Sequence, residues 1–144
     1  MTPKTAQEIF DQVLTHLRKQ GVAATVADPS NEGTICAYRT PEGLSCAAGC
    51  LFPDSAYDPK MEGSGVAYLS YGEPKDQATE LLLTALEAGG VDKHLGLVAQ
   101  LQSAHDNLLN SKAGTRWDIQ KWEDGMRRIA ESQELHYTPK VETS

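Results

Sequence analysis

Hydrophobic positions recur at helical spacing at the start of the chain. Ala6, Ile9, Phe10, Val13, Leu14 and Leu17 form one stripe, while Glu8, Asp11, Gln12 and Arg18 fall on the other side. Thr5 and Glu8 have the form of a capping box, and Gly21 sits where a left-handed residue ends a helix. The pattern predicts an amphipathic helix with one packed face and one wet face.

The period then changes. Val22, Ala24 and Val26 alternate, and residues 28–33 read as a loop. Residues 35–39 and 44–47 flank Thr40-Pro41-Glu42-Gly43, which suits a type I turn with a left-handed Gly43. The expected β-hairpin at about 35–48 pairs Thr40 with Leu44, Tyr38 with Cys46 and Cys36 with Ala48. A loop of one more residue would shift that register and turn every side chain over. Residues 47–52 suit either a strand or a short helix, which Pro53 stops. Residues 57–65 read as a loop, and 66–71 fit a strand or a helix.

The second half is helical. Pro74 at a first helical position opens a stripe of Ala78, Leu81, Leu82, Ala85 and Leu86, closed by Gly89-Gly90. Asp92 is placed to cap a helix carrying Leu95, Val98, Leu101, His105 and Leu108. After a loop at 110–114, Thr115 and Asp118 resemble a cap for Ile119, Trp122, Met126 and Ile129. The elements add up to an α+β fold: an N-terminal helix, a small antiparallel sheet with a β-hairpin at about 35–48, and three C-terminal helices. They fit one domain over 1–137, followed by a polar tail at 138–144.

Composition narrows the function. The chain has 144 residues, 40% of them hydrophobic and 23% charged, values of an ordinary globular domain. No apolar run reaches the roughly 18 residues of a membrane helix, and MTPKTAQEIF lacks the apolar core of a secretion signal. A cytoplasmic protein is expected. The formal charge is −7 and the basic residues are scattered. The densest pair, Arg127-Arg128, lies beside Glu123, Asp124 and Glu131, so generic nucleic-acid binding is not expected. The acidic balance suits a partner with a basic surface.

The segment Cys46-Ala47-Ala48-Gly49-Cys50-Leu51-Phe52-Pro53-Asp54, with Tyr57, Asp58, Pro59, Met61, Glu62 and Gly63 after it, resembles a group of small tailed-phage and prophage proteins. The resemblance covers residues 5–109 and includes the opening Thr5–Asp11 helix and the later Leu101, Gln102, His105 and Asp106. It implies a phage context and carries no chemistry. By analogy of gene context, it suggests a small accessory protein that acts on host machinery or host defence by binding.

Cys46, near the end of a strand, is the candidate nucleophile, and His105, on an apolar stripe, is the candidate base. Nothing in the sequence supplies a third group, since Asp106 points about 100° away from His105 on a helix. The preferred reading therefore has no catalytic residue and treats both side chains as core. Cys36, Cys46 and Cys50 make one close pair where structural zinc usually has two, so no metal and no cofactor are expected, and the thiols should be free. Asp54, Tyr57, Asp58, Met61 and Glu62 are the candidate partner-binding residues, because aromatic, methionine and acidic side chains on a long loop suit docking. The function expected is a non-catalytic inhibitor of a host protein, a defence component included. The alternatives are a binder of a metabolite or nucleotide signal, with a pocket between the cysteine hairpin and the His105 helix, and a Cys46-dependent enzyme. Oligomeric state is not encoded in any pattern we find.

Overall fold

The computed structural model describes residues 3–21, 24–27, 34–62, 65–72, 74–106 and 119–138, with backbone alone at 25–27, 34–36, 70–71 and 106. The expected loops at 28–33 and 110–114, the Thr115/Asp118 cap and the tail beyond Thr138 lie outside these residues.

Helix α1 spans Ala6–Gln20. Thr5 and Glu8 form the reciprocal capping box, and Gly21 ends the helix at φ 73°. Ile9, Phe10, Val13, Leu14 and Leu17 are buried. The opposite face is not simply wet: Gln12, His16, Arg18 and Gln20 are only partly exposed. Strands β1 (Thr25–Ala27) and β2 (Thr34–Cys36) pair antiparallel, with Thr25 opposite Cys36. Three short 3₁₀ turns follow, at Gly49–Leu51, Asp54–Ala56 and Pro59–Met61. Helices α2 (Val66–Tyr71), α3 (Gln77–Ala88), α4 (Leu95–Asp106) and α5 (Ile119–Gln133) complete the order.

The α+β expectation is overturned. The only sheet among the described residues is this ribbon of two three-residue strands, too small to form a layer, and the remaining architecture is five α-helices joined by irregular chain. Of the 35–48 hairpin only the tip exists. Thr40 N–H donates to the Leu44 carbonyl (2.9 Å), Cys46 N–H donates to the Tyr38 carbonyl (3.3 Å), and Arg39 and Ser45 form one isolated bridge. Beyond that point the arms part for two reasons. Cys36 is paired with Thr25 instead of Ala48, and Ala37 N–H donates to the Ala24 carbonyl at 3.0 Å. On the other arm the chain winds into the Gly49–Leu51 turn, pressed against Tyr38. A Cβ on Gly49 would stand 2.0 Å from the Tyr38 carbonyl oxygen, so only glycine permits this approach.

The ambiguous 66–71 segment is helical. Helix α3 starts later than Pro74 suggests, because Asp76 is the N-cap and exchanges hydrogen bonds with Thr79. Asp92 does not cap α4; it lies within a 3₁₀ turn at Asp92–His94 that leads into the helix. Helix α4 is central and packs on α1, α2 and α5, while α3 covers the Pro59–Met61 turn. The core joins Leu82, Ala85 and Leu86 of α3, Val98 and Leu101 of α4, and Trp122 and Met126 of α5 to the α1 stripe.

Helix α5 ends unusually. Leu135 N–H reaches back to the Ala130 carbonyl (2.8 Å) and Glu134 N–H to that of Glu131 (3.3 Å), the two bonds of a Schellman stop. The left-handed residue at its hinge is Glu134, at φ 57°, where glycine is the usual occupant. Replacing Glu134 with glycine is expected to raise stability by about 0.5–1 kcal/mol, the left-handed strain relieved less the entropy that glycine adds to the unfolded chain. Urea unfolding of the two proteins would measure it, and an unchanged or lowered midpoint would count against the strain.

Candidate functional site

The segment from Tyr38 to Glu62 holds most of the residues singled out in the sequence. It has almost no backbone pairing of its own, yet Tyr38, Cys46, Ala47, Ala48, Leu51, Phe52 and Met61 are buried. Buried N–H and C=O groups need partners. Side chains from three directions provide them.

From α1, three residues spaced by four reach across. Gln12 Nε2 donates to the Cys50 carbonyl at 2.9 Å, and His16 Nε2 lies 2.9 Å from the Ser45 carbonyl oxygen. The Gln20 carboxamide meets both backbone groups of Ser45, donating to its carbonyl and accepting its N–H, each at 3.0 Å. From α4, Gln102 Oε1 accepts the Ala48 N–H at 2.8 Å, while one turn on His105 Nε2 accepts the N–H of Ala24, outside this segment, at 3.1 Å. Within the segment, the Glu62 carboxylate accepts the N–H groups of Tyr38 (2.9 Å) and Arg39 (3.2 Å) and the Tyr57 hydroxyl (2.7 Å). Arg39 donates to the carbonyls of Gly49 (2.9 Å) and Phe52 (2.7 Å), pairs with Asp54, and lies over the Phe52 ring at 5.2 Å.

Cys46 and His105 are both 0% exposed. Cys46 Sγ accepts the Gly49 N–H at 3.3 Å. Because His105 Nε2 is already an acceptor, that nitrogen has no lone pair left to take a thiol proton. Cys50 donates to the Ala47 carbonyl at 3.2 Å, and burial pushes its thiol up to about 12, away from thiolate chemistry. Cys46, Ala47 and Ala48 belong to the same buried cluster as Leu97, Val98 and Leu101 of α4. Cys46 and Cys50 are both thiols, neither of them half of a disulfide. Among the described residues no three His, Cys, Asp or Glu side chains are grouped as metal ligands.

The five candidate partner residues separate. Met61 is 0% exposed beneath α3. Tyr57 is half-buried and stacks on Phe52 at 6.3 Å. Its hydroxyl is held well above the usual tyrosine range, first by burial and then by its bond to Glu62. Glu62 is committed to the backbone. Asp58 accepts the Lys60 N–H at 2.9 Å, and Asp54 is open to solvent beside Arg39. The structure therefore brings Tyr57 and Glu62 together as a brace and presents Asp54, and in part Asp58, outward.

Pattern reading missed two further features. Arg18 and Glu123 form a two-pronged ion pair between α1 and α5 (2.6 and 2.8 Å), and Tyr137 donates to the same carboxylate at 2.7 Å. The second is a groove of about 510 Å³ lined by α2, α4 and α5, to which Gly96, Ala99, Gln100 and Ser103 contribute from α4 and Arg128, Ile129 and Ser132 from α5. The spacing of the small residues along α4 was its only trace in the sequence. No helix among the described residues is long and apolar enough to cross a membrane. Comparison with protein-family models, curated proteins and solved structures finds no match to the chain.

Removing an acceptor from this segment should cost far more than removing an exposed carboxylate. Glu62→Ala leaves three donors without their partner and is expected to lose about 2–3 kcal/mol, while Asp58→Ala loses about 0.5 kcal/mol. Cys46→Ser, which buries a hydroxyl in place of a thiol, is expected to lose about 1–3 kcal/mol. Equal losses for Glu62→Ala and Asp58→Ala in urea unfolding would contradict the bracing role.

The Cys50 thiol gives a pH dependence of definite sign. Its folded value lies above the ordinary 9.0, so its contribution is complete below pH 9 and is lost as the pH climbs to about 12. Stability is expected to fall across that window, and less steeply in Cys50→Ala. Matching slopes in the two proteins would show that the thiol is not the source.

Proposed function

We propose that this protein is a non-catalytic accessory protein of phage type that acts by binding a host protein and blocking it. The observation that supports this reading best is the commitment of the candidate nucleophile and base. Cys46 and His105 are sealed in the core, and each accepts a backbone amide. A thiol-dependent reaction would need the sulfur open to substrate and an imidazole nitrogen able to take its proton. The phage resemblance of the 46–63 segment adds the context, and the distinctive residues Gly49, Glu62, Gln102 and His105 all have structural work that accounts for them. What is left for function is the outer surface.

Immobilised protein is expected to retain one host protein in near-stoichiometric amount at about 0.15 M salt. Native mass spectrometry of the purified chain should give the polypeptide mass alone. The reading fails if no host protein is retained, if a metabolite travels with the chain, or if a thiol probe labels Cys46 in the folded protein near neutral pH.

A further inference from the structure

The chain that follows α5 is held against the body of the protein in the manner of a separate peptide. Past the Schellman stop, residues 135–138 form neither helix nor strand. Leu135 and Tyr137 are half-buried against the core, while His136 and Thr138 alternate with them and are exposed, the two-residue period of extended chain. Side chains of α1 meet the backbone of this stretch. Gln7 Oε1 accepts the His136 N–H at 2.8 Å, Gln7 Nε2 donates to the His136 carbonyl at 2.9 Å, and Arg18 donates to the Thr138 carbonyl at 2.8 Å. Gln7 and Arg18 stand about three turns apart, on one side of α1. Bonds to the main chain, with sites for alternate side chains, are a general means of recognising an extended peptide.

The cradle around Tyr137 is the second observation. Its hydroxyl donates to Glu123 Oε1 at 2.7 Å, and Glu123 is only 5% exposed. The same carboxylate takes both prongs of the Arg18 guanidinium, at 2.6 and 2.8 Å, so its position is fixed from the α1 side. The centre of the Tyr137 ring lies 5.6 Å from the guanidinium carbon of Arg18 and 5.3 Å from that of Arg127, within the range of cation–π attraction. Glu123 and Arg127 are one turn apart on α5. Side chains of two helices therefore converge on one aromatic ring. A phenylalanine would fill the space equally well, but the buried carboxylate selects a ring that carries a donor.

We infer that the seam between α1 and α5 is a recognition site for an extended peptide segment of the pattern Leu-x-Tyr, and that residues 135–138 of the same chain occupy it as an intramolecular competitor. A partner segment enters only by displacing this strap, so its affinity is reduced by the fraction of molecules in which the seam is vacant. The strap is built for release. Its bonds to Gln7, and that from Arg18 to Thr138, are exposed, and such bonds open locally without unfolding the core. It pivots at Glu134, whose left-handed φ of 57° is strained for a residue with a side chain and relaxes on opening. The inference goes beyond the host-binding role proposed above and does not depend on it.

The test uses the full chain carrying Tyr137→Ala, in which the strap loses its anchor, and a capped peptide with the sequence of residues 133–139, Gln-Glu-Leu-His-Tyr-Thr-Pro. Amide shifts of the variant are followed on titration. The peptide is expected to perturb residues 7–18 and 123–127 saturably, half-maximally at about 1 mM, the scale of the effective concentration that a short tether provides. Binding should fall about tenfold when phenylalanine replaces the peptide's tyrosine, as for the loss of one hydrogen bond to a charged acceptor. It should fall by about tenfold or more in the unmodified chain, whose own strap competes. Thermal melting establishes that the variant is folded; if it is not, Tyr137→Phe, which keeps the ring and drops the bond to Glu123, takes its place with the same expectations. Shifts that do not saturate or that map elsewhere, equal binding of the two peptides, or equal binding to variant and unmodified chains would overturn the inference. So would light scattering that shows the unmodified chain dimerising as its concentration rises, which would assign the seam to the strap of a second copy.

Discussion

A stretch of irregular backbone runs through the core of this protein, and its polar groups must be satisfied there. Between Tyr38 and Phe52 the chain forms neither an α-helix nor a continuous ladder, yet its buried residues belong to the same core cluster as Leu17, Leu86 and Leu101. Each buried amide or carbonyl left unmet would cost on the order of 1–3 kcal/mol, comparable with a large part of the stability of a small domain. The solution is a set of side chains with fixed reach: Gln12, His16 and Gln20 from α1, Gln102 from α4, Arg39 from within and Glu62 from just beyond. The helices are thereby fixed relative to one another through polar bonds as well as apolar contact.

Helix α1 carries this constraint on several sides at once. One face supplies Ile9, Phe10, Val13, Leu14 and Leu17 to the core. A flank that a helical wheel assigns to water instead holds the Ser45–Cys50 segment, and another holds α5 through Arg18 and Glu123. The C-terminal segment is gathered in the same way. Gln7 exchanges two hydrogen bonds with the His136 backbone, at 2.9 and 2.8 Å, and the guanidinium groups of Arg18 and Arg127 lie 5.6 and 5.3 Å from the centre of the Tyr137 ring. Chain segments 129 positions apart are joined by one carboxamide.

This economy has a consequence for function. Residues with reactive side chains, Cys46, Cys50, His105 and Glu62, serve as packing and bracing groups.

The sequence by itself determined the helices whose stripes and caps are local. Helix α1 with its Thr5/Glu8 box, the α3 stripe and the Trp122–Met126 face arise from contacts within a few residues, which a linear pattern records. The turn at Thr40–Leu44 was legible for the same reason. Tertiary structure decided the rest. Whether 35–48 became a sheet depended on which partner claimed Ala37 and how closely Gly49 approached Tyr38, both set by chain distant in sequence or folded back on itself. Nothing in the alternation of residues distinguishes a strand amide that meets another strand from one that meets Gln102 or Glu62. The same holds for the candidate site: Glu62 and Arg18 have the composition of a surface yet lie part-buried against their partners, because a polar side chain is buried or exposed according to the partner that reaches it.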